Sequence, residues 1–160
     1  MPKIKYIHAE GKTINVIGID PGAKGGITLI TENNVTSRKC PDTPESMASA
    51  FMLLLESVKL SNTKVCMEFV HAFPTDSRRS AFKFGTNYGI WRGIVASYDL
   101  HYAEVSPQKW IKYYNIGKLT KLERKRALKE RAIELFPNLK VTFNISDSLL
   151  IANYAKREMF

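Results

Sequence analysis

The hydrophobic positions of this chain fall into short unbroken runs and longer spaced stripes. In Ile14 to Asp20 the β-formers Val16, Ile17 and Ile19 make a run of the kind found in buried strands. Pro21-Gly22 and Gly25-Gly26 then reverse the chain into a second run, Ile27 to Ile30. Further strands are expected near Asn34 to Arg38, over Lys64 to Val70 and over His101 to Val105. Thr43 caps a first helix with Pro44 at its first position and an apolar stripe of Met47, Phe51, Leu54, Leu55 and Val58. A long helix is predicted from Ser77 to Ser97, and Ser106-Pro107 opens a short one containing Trp110. Asn115 to Lys118 reads as a loop. Thr120-Lys121-Leu122-Glu123 is a capping box that starts a helix ending near Phe136, and Asp147 to Met159 is the last helix. A hairpin followed by alternating strands and helices predicts an α/β fold. Its mixed sheet would combine antiparallel hairpin strands with parallel strands, with helices on both faces.

Gly85, Gly89 and Gly93 recur every fourth residue on one face of the long helix. Each glycine weakens a helix by roughly 1 kcal/mol against Ala. The spacing therefore predicts close approach of another backbone, either the chain's own sheet or a second subunit.

Composition narrows the class. A chain of 160 residues is expected to form one domain, residues 1–160, with the polar, basic 1–12 as a flexible N-terminus. Hydrophobic residues at 44% and aromatics at 11% exclude disorder as the main state. No apolar run is long enough for a bilayer, so no membrane partner and a cytoplasmic location are expected. Cys40 and Cys66 lack metal-ligand spacing and read as inert thiols. Twenty-four Lys+Arg against 15 Asp+Glu give a net charge of +9, which points to a polyanionic partner or to a generically basic surface.

Three acids break apolar segments or sit at their edges. Asp20 ends the first strand, Glu68 interrupts the Lys64–Val70 run, and Asp147 stands beside Leu149-Leu150-Ile151. If the two strands are neighbours and a helix crosses them, the three carboxylates can face one point. Such a set suits Mg²⁺, with Mn²⁺ as substitute, and two such ions can clamp both oxygens of a phosphodiester displacement. The bland alternatives are a turn-forming Asp20, a helix-stabilising Asp147, and a buried Glu68–Lys pair.

Four segments in order then resemble the RuvC-like Holliday-junction resolvases, in particular their small phage-encoded branch, which have an RNase H-like fold. They are VIGIDPGAKGGI, VCMEFVHAFP, FKFGTNYGIWRGIVASYDLHYAEVSPQKW and SDSLLIANYAKR. The resemblance implies a divalent-metal-dependent endonuclease, two ions per site, that resolves four-way DNA junctions by paired nicks and works as a homodimer. It would sit in the host cytoplasm if phage-encoded. Asp20, Glu68 and Asp147 match three of the family's acids. Where the family has a further acid, about three residues before Asp147, this chain has Asn144. Asn144 is either a disabling Asp→Asn change, a natural neutral oxygen ligand, or the mark of a protein that only binds junctions. A broader nuclease for flaps, forks and three-way branches is the neighbouring reading.

For DNA contacts, Lys118, Lys121, Arg124 and Lys125 open the capped helix, and Arg78, Arg79 and Lys83 follow the second acid. Both clusters suit phosphate binding, against the plainer reading of a solvated helix face. Between the second acid and Arg78 lie His71 and Phe73, expected either to stack on an unpaired base or, for Phe73, to join the core. Glu104 is expected to be an exposed strand residue.

Overall fold

A computed structural model describes residues 13–160; the expected flexible segment 1–12 lies outside the described residues. The elements follow the order that the hydrophobic pattern predicts. They are β1 Asn15–Ile19, β2 Gly26–Ile30, β3 Val35–Lys39, α1 Pro44–Leu55, β4 Thr63–Glu68, α2 Arg78–Ser97, β5 His101–Val105, α3 Pro107–Tyr113, α4 Lys121–Leu135 and α5 Phe143–Glu158. The helix starts are chemically marked. Thr43 accepts from the Ser46 N–H, Ser106 from that of Lys109, and Thr120 with Glu123 closes the reciprocal capping box.

The sheet runs β3-β2-β1-β4-β5. β1 pairs antiparallel with β2, and β2 with β3, while β1–β4 and β4–β5 are parallel. This is the mixed sheet with helices on both faces that the segment order predicts. Strand side chains alternate between the faces. Ile17, Ile19, Ile27, Leu29, Val65 and Met67 pack with Met47, Phe51 and Trp91 of α1 and α2. Val16, Ile30, Cys66 and Val105 pack instead with Trp110 of α3 and with Leu149, Ala152 and their neighbours on α5.

The second face is built for close contact. A Cβ on Gly18 would lie 2.4 Å from the Ser148 carbonyl oxygen and 2.5 Å from the Ala152 nitrogen. One on Gly26 would lie 2.6 Å from the Asn144 carbonyl oxygen. Only glycine lets the α5 backbone lie directly on β1 and β2 at these points. Polar bonds then fix the helix along its length. The Thr28 and Ser148 hydroxyls sit 2.8 Å apart, and the buried Lys156 ammonium donates to Ile14 O at 2.8 Å and Thr31 O at 3.2 Å.

Three expectations need correction. The last helix starts at Phe143 rather than Asp147, because Ile145 already belongs to the apolar stripe that continues through Leu149 and Ala152. β4 ends at Glu68 rather than Val70; only the Phe69 N–H continues toward β5, to Val105 O. Gly85, Gly89 and Gly93 do not meet the chain's own sheet, since nothing lies within 4 Å of a Cβ built on any of them. The inner face of α2 is set by Trp91 and Val95. Gly89 and Gly93 stand two residues from Trp91, about 200° around the helix, and so point away from the core. No helix among the described residues is long and apolar enough to cross a membrane.

Candidate active site

Asp20 follows the last residue of β1, and Glu68 is the last residue of β4. The parallel register pairs Ile19 with Met67, so one further step sets Asp20 beside Glu68. Both fall on the α5 face, in phase with Gly18 and Cys66. Asp147 stands one turn inside α5, three residues after Asn144, so the two share a helix face. The first turn of α5 holds no acid, which removes the helix-stabilising reading of Asp147. The three acids are thus brought to one end of one sheet face.

Each carboxylate is held locally. The turn after β1 wraps Asp20: the Gly22 N–H donates to Oδ1 at 3.2 Å, and a Cβ on Gly25 would lie 2.7 Å from the Asp20 carboxyl carbon. The buried Cys40 thiol donates to the Asp20 backbone oxygen at 3.3 Å. Burial pushes the thiols of Cys40 and Cys66 up to about 12, and both cysteines are free, as expected of inert thiols. Glu68 Oε2 accepts from the indole N–H of Trp110 at 2.7 Å, so an indole takes the place of the lysine that a buried ion pair would need. Ser146 Oγ lies 3.4 Å from Asp147 Oδ1.

Burial raises the pKa of all three acids, and the charge of Asp20 adds to the rise at Glu68 and Asp147. Glu68 is pushed up to about 8, first by burial and then by the charge of Asp20, with Asp147 adding to it and Trp110 opposing. Asp147 rises to about 7, by burial and by Asp20, with Lys125, Ser146 and Arg124 pulling the other way. Asp20 is also raised, chiefly by burial, against the Gly22 N–H and Lys125. Among the described residues no three His, Cys, Asp or Glu side chains are gathered so that they could hold a metal ion. The donor chemistry nevertheless suits one: oxygen ligands only, buried, with more negative charge than the two nearby α4 cations offset. A hard divalent cation answers such a set, taking the place of the protons.

Asn144 is half-buried, and its amide nitrogen donates to Lys24 O at 2.9 Å, tying α5 to the β1–β2 turn. A carboxylate could not donate that bond. Arg124 and Lys125 of α4 come near enough to act on the acids, and these two, like Lys118 and Lys121, are exposed. Lys125 and Lys129 place their ammonium groups 5.9 Å and 4.4 Å from the centre of the Phe143 ring, a cation–π arrangement at the start of α5.

Arg78 and Arg79 occupy the first two positions of α2, with no acid in that turn, and Lys83 follows; all three are exposed. Cations at a helix N-terminus oppose its dipole, so helix stability does not account for them. His71 and Phe73 are also exposed, with ring centres 4.4 Å apart. Phe73 is 54% exposed, which overturns its place in the core. Phe82, at 79%, and Phe84 extend the exposed aromatics onto α2, flanking Lys83. Neither phenylalanine is among the expected DNA contacts, although the Phe-Lys-Phe triplet beside Arg78-Arg79 is a signal for them in the sequence.

Glu104 departs from expectation. It is half-buried on the opposite sheet face, accepting from the hydroxyls of Tyr88 and Tyr102 with Arg92 Nε at 3.6 Å. A strand residue facing α2 is covered by that helix, and the two tyrosines and the arginine satisfy its charge.

No family model matches the sequence, and no curated protein matches it. Solved structures do. RuvC of Thermus thermophilus in complex with a Holliday junction substrate matches with a TM-score of 0.58 at 15% identity, over 91% of this chain and 97% of that one. A second structure of Thermus thermophilus RuvC matches with a TM-score of 0.58 at 16% identity, over 90% and 96%. The yeast mitochondrial Holliday junction resolvase Ydc2 aligns with a TM-score of 0.47 at 18% identity, over 91% and 78%. At these identities the likeness to RuvC is one of fold, and the chain has that RNase H-like architecture.

Proposed function

We propose that this chain is a divalent-metal-dependent endonuclease acting on branched DNA, with four-way junctions as its main substrate. The observation that carries the reading is the meeting of Asp20, Glu68 and Asp147, from two adjacent strand ends and a helix laid across them. From that face the charge of Asp20 raises the pKa of Glu68 and Asp147, while Arg124 and Lys125 act in the opposite direction on Asp147. The fold shared with RuvC and the four ordered sequence segments support it.

Mg²⁺, or Mn²⁺ in its place, would supply the positive charge that offsets the attacking and leaving oxygens of a phosphodiester. Asp20, Glu68 and Asp147 would hold it, with the side-chain oxygen of Asn144 as a neutral fourth donor. Lys125 and Arg124 draw the scissile phosphate toward the acids. Lys118 and Lys121 on one side, and Arg78, Arg79 and Lys83 on the other, bind phosphates without reading sequence. His71 and Phe73 offer an exposed surface for an unpaired base. Symmetric nicking calls for two such sites, hence a C₂ homodimer, with the open Gly85/Gly89/Gly93 face of α2 as the contact.

A second reading has its own observation. Asn144 lowers the acid count and no ready-made ion cage is present among the described residues, which favours a junction-binding protein without cleavage. A labelled panel of four-way junction, three-way branch, flap and linear duplex decides between them, with the native chain and Asn144→Asp assayed in Mg²⁺ and in Mn²⁺. Paired nicks in the four-way junction alone support the proposal. Equal cutting of flaps and branches widens the substrate class. Tight junction binding without nicks from either form replaces the nuclease with the binding module.

A further inference from the structure

We propose that Trp110 of α3 and Tyr114 at its C-cap form a brace that sets the position of Glu68 relative to Asp147, so that Trp110 is a positioning residue of the metal centre. The inference rests on the proposed metal centre and names residues through which that centre would be tuned. Trp110 is 1% exposed and its one polar atom donates to Glu68 Oε2 at 2.7 Å. An indole has a single donor and no acceptor, so the bond engages one carboxylate oxygen and leaves Oε1 for a cation.

One helical turn later, Tyr114 sits edge-on to Trp110, with ring centres 6.3 Å apart. Its hydroxyl donates to Leu150 O at 2.6 Å and accepts from Asn153 Nδ2 at 3.0 Å. Leu150 lies three residues beyond Asp147 on α5. A short helix capped by Ser106 directly after β5 therefore grips both acid-bearing elements through buried groups. Glu68 on β4 is held by Trp110, and the Asp147 turn of α5 by Tyr114. Partners of this kind orient ligating carboxylates, and losing one typically costs about 10–100-fold in metal affinity.

The test measures Mn²⁺ binding by electron paramagnetic resonance on the full chain without DNA. It compares the native protein, Trp110→Phe, and a chain carrying β-(3-benzothienyl)alanine at position 110. The benzothienyl ring keeps the shape of the indole but puts sulfur where the N–H was, so packing is retained if Trp110→Phe fails to fold. Tyr114→Phe, which removes the tie to α5 and leaves the Glu68 bond, is the fourth sample. The expected result is a dissociation constant for Mn²⁺ raised roughly 10–100-fold in the isostere, with metal-free melting close to native and a smaller rise for Tyr114→Phe. Native-like Mn²⁺ affinity in the isostere overturns the brace, even where junction nicking by the native chain stands. Absence of Mn²⁺ binding by the native chain removes the metal centre itself, and this inference with it.

Discussion

The two faces of the sheet treat buried carboxylates in opposite ways. On the face covered by α1 and α2, Glu104 meets two tyrosine hydroxyls and Arg92, in an otherwise apolar layer led by Ile17, Ile19, Phe51 and Trp91. On the face covered by α5, the charge of Asp20 bears on Glu68 and Asp147, and the opposing cations are Arg124 and Lys125 of α4, both exposed. A protein that needed those acids only for stability would have partnered them as it partnered Glu104. Burying like charges together costs stability, and such a cost is characteristic of sites that wait for a cation. The faces also differ in how their helices approach. α5 lies in backbone contact through Gly18 and Gly26, whereas the glycines of α2 face away from the core.

The largest effect is expected where that approach is blocked. Gly18→Ala drives a methyl group into the Ser148 and Ala152 backbone, which has no side-chain freedom with which to yield. Denaturant unfolding should show a loss of about 3 kcal/mol, the upper end of ordinary overpacking. Junction nicking should fall with it, because α5 carries Asp147.

A contrast of sign comes next. Glu68 releases its proton at about 8 in the folded chain, well above its unfolded range. In the metal-free protein its contribution is therefore fully present below the unfolded carboxylate pKa and is lost as pH rises through about 8. Calorimetry in chelator should find a lower melting temperature at pH 8 than at pH 6. Glu68→Gln should reduce that difference and raise the pH 8 melting temperature, while Glu104→Gln should lower that temperature, with a loss of about 1.5–3 kcal/mol as the charged hydrogen bonds are weakened. Equal destabilisation by both substitutions would erase the distinction between the faces.

The smallest effect concerns α2. With nothing within 4 Å, Gly85→Ala, Gly89→Ala and Gly93→Ala should each stabilise the isolated chain by roughly 0.5–1 kcal/mol. If a second copy docks there, sedimentation of the triple variant should show a weakened dimer. Unchanged association would move the dimer contact elsewhere.

Much of this layout was legible in the sequence, for identifiable reasons. Asp20 and Glu68 stand out because charges at strand ends interrupt β-forming runs, and the capping signals at Thr43, Ser77, Ser106 and Thr120 are local chemistry. The start of α5 was hidden because Thr142, Asn144, Ser146 and Asp147 read as cap residues while Ile145 alone marked the buried face. Trp110 bonds across 42 residues, a separation no local pattern reports. The role of Gly18 was open to inference, since a glycine inside a strand signals close approach. Which helix approaches it depends on the tertiary fold.

The most direct test of the central claim is nicking of a labelled four-way junction against a matched linear duplex in Mn²⁺, by the native chain and by Glu68→Gln. The account predicts paired nicks in the junction from the native chain, reduced at least about 100-fold by the substitution, with junction binding retained. Equal nicking by both proteins would contradict the assignment of Glu68 and, with it, the carboxylate centre.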